Sequence, residues 1–132
     1  MFKIRMAYYF PVLNIYGDFK FKTGAKARCF FNLIKNKYLD EEGLLLHEMN
    51  HSKQFFRFSR KSWLYHFSKK WRLKSELECY ALQTVYNVKN GVWSIGECLT
   101  SYSEYLVDWY DLDIKYTEAM ELLKKEVKKY GS

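Results

Sequence analysis

The period of the apolar positions changes once along the chain. From Phe2 to Tyr16 the residues are rich in Phe, Tyr, Ile and Val and include the chain's only proline, Pro11. Gly17-Asp18 reads as a turn, and Phe19-Lys20-Phe21-Lys22-Thr23 alternates apolar with polar, as a half-buried strand does. Gly24-Ala25 breaks that run. Ala27 to Ile34, with Cys29-Phe30-Phe31 and Leu33-Ile34, reads as a further strand or, almost as well, as a short helix.

Beyond Leu39 helical signals dominate. Asp40 can cap a helix running to about Phe56, with Glu41 and Glu42 at its positive end and Leu39 and Leu44 at staple spacing. Ser75 and Glu78 have capping-box spacing for a helix reaching about Val88, closed by Asn90-Gly91. Ser94 and Glu97 repeat the box, ahead of a stripe of Cys98, Tyr102, Tyr105, Leu106 and Trp109. Thr117 can cap a last helix with a stripe of Met120, Leu123, Val127 and Tyr130, and its lysines fall at the negative end. The pattern predicts the α+β class: a small N-terminal sheet or hairpin, then four or five helices, as a single domain over 1–132.

Composition narrows the class. The chain has 132 residues, 48% hydrophobic and 20% aromatic, enough for a real core and too aromatic for a disordered segment. No apolar run approaches the ~20 residues that span a bilayer, so no transmembrane segment is expected. The Tyr-rich run after Lys3 and Arg5 is broken by Pro11 and lacks a cleavage site, so it reads as mature protein. Cys29, Cys79 and Cys98 form no CxxC pair; they read as small buried hydrophobes in a reducing, cytoplasmic compartment. The net charge of +7 is uneven, with seven basic and no acidic residues over 57–74. There Arg57, Arg60, Lys61, Lys69, Lys70, Arg72 and Lys74 interleave with Trp63, Tyr65, Phe67 and Trp71. That mixture suits a nucleic acid or an anionic surface, and suits equally a connector whose charges face water.

The chemistry lies in His47-Glu48-Met49-Asn50-His51, an HExxH inside the first helix. Side chains at i and i+4 stack on one helical face, so both imidazoles can reach one ion, and neutral imidazole suits Zn2+. Glu48 lies about 100° round the helix from His47. It can stay off the metal and take the proton of an attacking water as general base. Two of the three histidines in the chain are used in this motif. A third histidine six residues past His51 would mark a metzincin, but Arg57 stands there.

HExxH with Gln54 three residues after His51, an aromatic-rich link, and then Glu76-Leu77-Glu78-Cys79-Tyr80-Ala81 resembles the small gluzincin-type metallopeptidase domains of bacteria and their phages. The resemblance covers roughly residues 39–83. It implies a zincin-like fold, a small sheet packed on the active-site helix with further helices behind. It also implies zinc held by His47, His51 and Glu76, with Glu48 as general base and a peptide or protein as substrate. Cys79 replaces the usual Ala, and Tyr80 stands where many relatives carry the Asp or Asn that orients a ligand histidine. The Tyr80 hydroxyl, four residues from Glu76 on the same face, is a candidate replacement.

Other assignments stay open at this point. Glu76 also reads as a first-turn acid favoured by the helix dipole, and Glu78 as the cap partner of Ser75 or as the ligand itself. His66, with fourteen residues between it and His51, has the spacing of the third ligand in SprT-like proteases that act on DNA-bound proteins. Those domains, however, carry Gly around that histidine and a zinc ribbon that is absent here. Tyr65, Tyr80 and Tyr86 are candidate oxyanion donors. The competing classes are a non-catalytic nucleic-acid or membrane-surface binding domain built on 57–74, and a zinc-binding pseudo-enzyme.

Overall fold

The computed structural model describes residues 2–7, 10–16, 27–30, 33–36, 42–57 and 64–131, with side chains for 42–54, 64, 65 and 67–131. It divides into two compact units, Met1–Ser62 and Trp63–Ser132.

In the first unit the backbone forms β1 (Phe2–Ala7), β2 (Phe10–Tyr16), β3 (Ala27–Phe30), β4 (Leu33–Asn36) and the helix α1 (Glu42–Arg57). The strands pair in the order β1-β2-β4-β3. β1 and β2 are antiparallel with Met6 opposite Pro11, β3 and β4 are antiparallel with Ala27 opposite Asn36, and β2 and β4 run parallel from Leu13 opposite Leu33. Pro11 precedes the stretch where β2 gains its second neighbour, a place where a missing N–H is tolerated. The segment 27–34 is therefore neither one strand nor a short helix but most of a pair of strands. The expected turn at Gly17-Asp18, the strand at 19–23, the break at Gly24-Ala25 and the Asp40 cap with its Leu39 staple lie outside the described residues.

The second unit holds the one-turn helix α2 (Leu64–Phe67), α3 (Lys69–Lys89), α4 (Ile95–Trp109) and α5 (Tyr116–Tyr130). α3 starts earlier than the Ser75/Glu78 spacing predicts. Its N-cap is Ser68, in extended conformation, whose hydroxyl accepts from the Trp71 N–H at 3.2 Å. Residues 69–74 contain good helix formers and no breaker, so the helix extends back to that cap. It closes at Asn90, where Gly91 turns the chain with φ 67°. α4 opens with the expected capping box: Glu97 N–H donates to Ser94 Oγ at 3.2 Å, and Ser94 N–H donates to Glu97 Oε2 at 3.1 Å. α5 is capped at Lys115 with no side-chain hydrogen bond, which leaves Thr117 inside the helix. The core comes from Leu77 and Ala81 of α3, Cys98, Tyr102 and Leu106 of α4, and Ala119 and Leu123 of α5. Leu112, in the link between α4 and α5, packs into the same core.

The fold-class expectation is corrected by this architecture. α+β, with a small sheet or hairpin packed on the active-site helix, does not describe the packed part of the molecule. Residues described to the side chain are 84% helical and contain no strand; their substantial helices are α1, α3, α4 and α5. The physical reason is where the apolar stripes go. α3, α4 and α5 pair their stripes with one another and close an all-helical core.

Candidate metal centre

In the first unit, α1 presents the HExxH residues. His47 and His51 share a face, with ring centroids 5.0 Å apart and planes at 72°. His47 and Glu48 are buried, with 2% and 7% of their surface exposed. Gln54 is buried one turn beyond His51, and its Oε1 lies 3.1 Å from His51 Nδ1. An amide oxygen only accepts, so this hydrogen bond is made by the tautomer with the proton on Nδ1. That tautomer is the one suited to metal ligation through Nε2, and two imidazoles on one face fit a borderline-soft divalent cation.

The second unit holds Glu76, Glu78, Tyr80, Tyr86 and His66. Glu76 is 1% exposed. It lies in the second turn of α3, since the helix begins at Lys69, so it is not the first-turn acid of the dipole reading. Glu78 is half-buried and is not the partner of an N-cap, because the cap is Ser68. The Tyr65 hydroxyl, from α2, donates to Glu76 Oε1. A hydroxyl placed on a buried carboxylate offsets the cost of removing that charge from water.

Tyr80 is buried on α3. Its hydroxyl pairs with that of Tyr110 at 2.6 Å, and its ring stacks on Tyr102 at 4.8 Å. Burial pushes the Tyr110 hydroxyl well above the usual tyrosine range, and the charge of Glu76 and the neighbouring Tyr80 push the same way. Tyr86 lies ten residues beyond Glu76 on α3, about 15 Å along the axis. His66 lies on α2, and its side chain falls outside the described residues.

The basic segment is partly structural. Arg72 Nε donates to the Tyr110 carbonyl at 2.7 Å, Nη1 to the Tyr65 carbonyl at 2.9 Å, and Nη2 to the Asp111 carbonyl at 3.0 Å. Two of those acceptors lie at the C-terminus of α4, the negative end of its dipole. Lys69 bonds Asp113 and lies 3.9 Å from Asp111. Lys74 sits over the Trp71 ring, 5.8 Å from its centroid. Arg60, Lys61 and Trp63, and the side chain of Arg57, lie outside the described residues.

Tyr65 as the partner of Glu76, Arg72 as a clamp and Tyr110 as a neighbour are the contributors that sequence reasoning missed. Arg72 bonds residues 38 and 39 positions away, and no local pattern signals such a contact. Tyr65 is eleven residues from Glu76, beyond helical spacing. Among the described residues no helix is long and apolar enough to cross a membrane. No family model, curated protein or solved structure matches the chain.

Proposed function

We propose that this chain is a zinc-dependent peptidase of the HExxH gluzincin type. His47 and His51 hold the metal, Glu76 is the third protein ligand and Glu48 is the general base. The observation that carries the reading is the buried polar run of α1: two imidazoles one turn apart, one with its tautomer set by Gln54, and a buried carboxylate beside them. The choice of Glu76 follows the resemblance of residues 39–83, supported by the burial of that carboxylate.

Zinc, when bound, supplies Lewis acidity, which polarises a peptide carbonyl and lowers the pKa of water towards ~7. Glu48 takes one proton from the attacking water as its oxygen bonds the carbonyl carbon. It then returns that proton to the amine nitrogen as the C–N bond breaks, so one water is consumed per bond cut. Gln54 keeps His51 Nδ1 protonated and the ring fixed through both steps. A flexible peptide or protein segment is the substrate. Cys79 and Cys98, buried and outside any disulfide, accord with a reducing, cytoplasmic setting.

The competing reading, a nucleic-acid or anionic-surface binder, loses support because Lys69 and Arg72 of its basic segment are engaged within the chain. The test is zinc content by plasma mass spectrometry on untagged protein, with peptide-library turnover. About one zinc per chain is expected, lost in His47→Ala and weakened in Glu76→Gln, with Glu48→Gln keeping metal and losing turnover. No zinc after refolding with added metal, or turnover surviving in metal-bound Glu48→Gln, would overturn it.

A further inference from the structure

Among the described residues six large apolar side chains are exposed, and four of them gather at one end of the second unit. Val88, Val92 and Ile95 stand on the turn from α3 to α4, with 40%, 56% and 51% of their surface exposed. Tyr130 stands at the end of α5. A Cβ at Gly131 would lie 3.7 Å from Val85 Cγ2, so α5 ends beside the last turns of α3. Trp93 holds the turn from behind: its ring is half-buried and packs on Tyr102 with centroids 5.9 Å apart. The turn also satisfies its own backbone donors. Asn90 N–H donates to the Tyr86 carbonyl at 3.0 Å, Gly91 N–H to that of Val88 at 3.2 Å and Val92 N–H to that of Asn87 at 2.9 Å. Trp93 N–H reaches the same Asn87 carbonyl at 3.5 Å, and Ser94 N–H donates to the Glu97 carboxylate. Five consecutive N–H groups therefore need no water. Single exposed apolar side chains are ordinary, but a fixed apolar tip with a satisfied backbone is suited to leaving water.

Charge selects the occupant. Lys89 closes α3, and Lys128 and Lys129 stand in the last turn of α5, all three exposed. α5 ends short of the α3–α4 turn, so its lysines are set back from the apolar tip, at the depth where headgroups would lie. Lys129 pairs with Glu126 at 2.9 Å, and Glu97, the one acid between Val88 and Glu97, is used in the α4 capping box. A single-stranded nucleic acid is held by aromatic faces on which its bases stack, and Val and Ile offer none. We propose that this end of the second unit docks on an anionic lipid bilayer, with Val88, Val92 and Ile95 in the acyl boundary and Lys89 and Lys128 at the headgroups. The inference does not depend on the zinc reading. It also concerns the opposite end of α3 from Lys69 and Arg72, which are engaged within the chain.

The test is co-sedimentation of the full chain with phosphatidylcholine vesicles, with and without about one third phosphatidylserine, over a salt series. Partitioning onto the anionic vesicles is expected to exceed that onto neutral ones by about tenfold or more and to fall as salt rises. Val92→Ser with Ile95→Ser should lower it about 10–100-fold, and Lys89→Gln or Lys128→Gln about fivefold each. Lys115→Gln removes the same charge from the far end of α5, about 20 Å away, and should change it by less than about twofold. All these side chains are exposed, so the unfolding midpoints should match that of the unsubstituted chain. No partitioning at low salt would overturn the inference. So would partitioning that the Val92→Ser, Ile95→Ser pair leaves unchanged, or that Lys115→Gln weakens as much as Lys89→Gln does. Single-stranded DNA bound in place of vesicles would assign the surface to nucleic acid and overturn it equally.

Discussion

α1 and α5 are similar in length and opposite in what they bury. α5 buries Ala119, Leu123 and Val127, one residue every fourth position, and most of its remaining surface is charged and exposed. That is the narrow apolar stripe of a helix whose task is packing. α1 buries His47, Glu48, Asn50, Ser52 and Gln54, five polar side chains, beside Leu45 and Met49. Burying polar groups costs free energy unless each is partnered, and an apolar side chain of the same size would stabilise the fold more. A helix that buries five polar side chains between positions 47 and 54 is organised for chemistry, whereas α5 is organised for stability.

The contrast can be broken in four ways. The largest effect belongs to Glu48→Gln, expected to lower peptide turnover by about 10²–10⁴-fold while leaving the unfolding midpoint unchanged or raised. A large loss of stability in that variant would mean that α1 is a packing helix after all. Leu123→Ala is expected to do the reverse, costing about 2–5 kcal/mol in denaturant unfolding and leaving zinc affinity alone below the transition. Gln54→Ala, which frees His51 Nδ1, should weaken zinc about 10–100-fold in a chelator competition. Ser94→Ala removes one half of the α4 capping box and should cost about 1 kcal/mol, read as a small shift in the same unfolding curve.

What could be read in advance follows the range of the interaction. The HExxH motif, the i and i+4 pairing of its imidazoles and the Ser94/Glu97 box are contacts within one helical turn, so spacing alone exposes them. The start of α3 is ambiguous in the sequence because two serines, Ser68 and Ser75, both suit an N-cap, and the helix-forming run 69–74 between them decides for the earlier one. A helix starting at Ser75 would make Glu76 a first-turn acid, whereas the Ser68 cap does not. Fold class is ambiguous in the sequence for a related reason. Periodicity shows which face of a helix is apolar, but not whether that face meets a sheet or another helix. The partner of Glu76 and the clamp on Tyr65 span 7 to 39 residues of chain, and only the folded arrangement reveals them.

The link between α4 and α5 constrains how this chain can vary. Asp111 and Asp113 have φ of 51° and 54°, in the left-handed region, and between them Leu112 is buried in the core. Only glycine, and to a lesser degree Asn and Asp, occupies that region at low cost. In a saturation library, positions 111 and 113 should accept Gly and Asn and reject Val and Ile, although both are on the surface. Leu112 should accept only side chains of similar volume. Three adjacent residues would then show three separate tolerances, set in turn by backbone geometry, core volume and backbone geometry again.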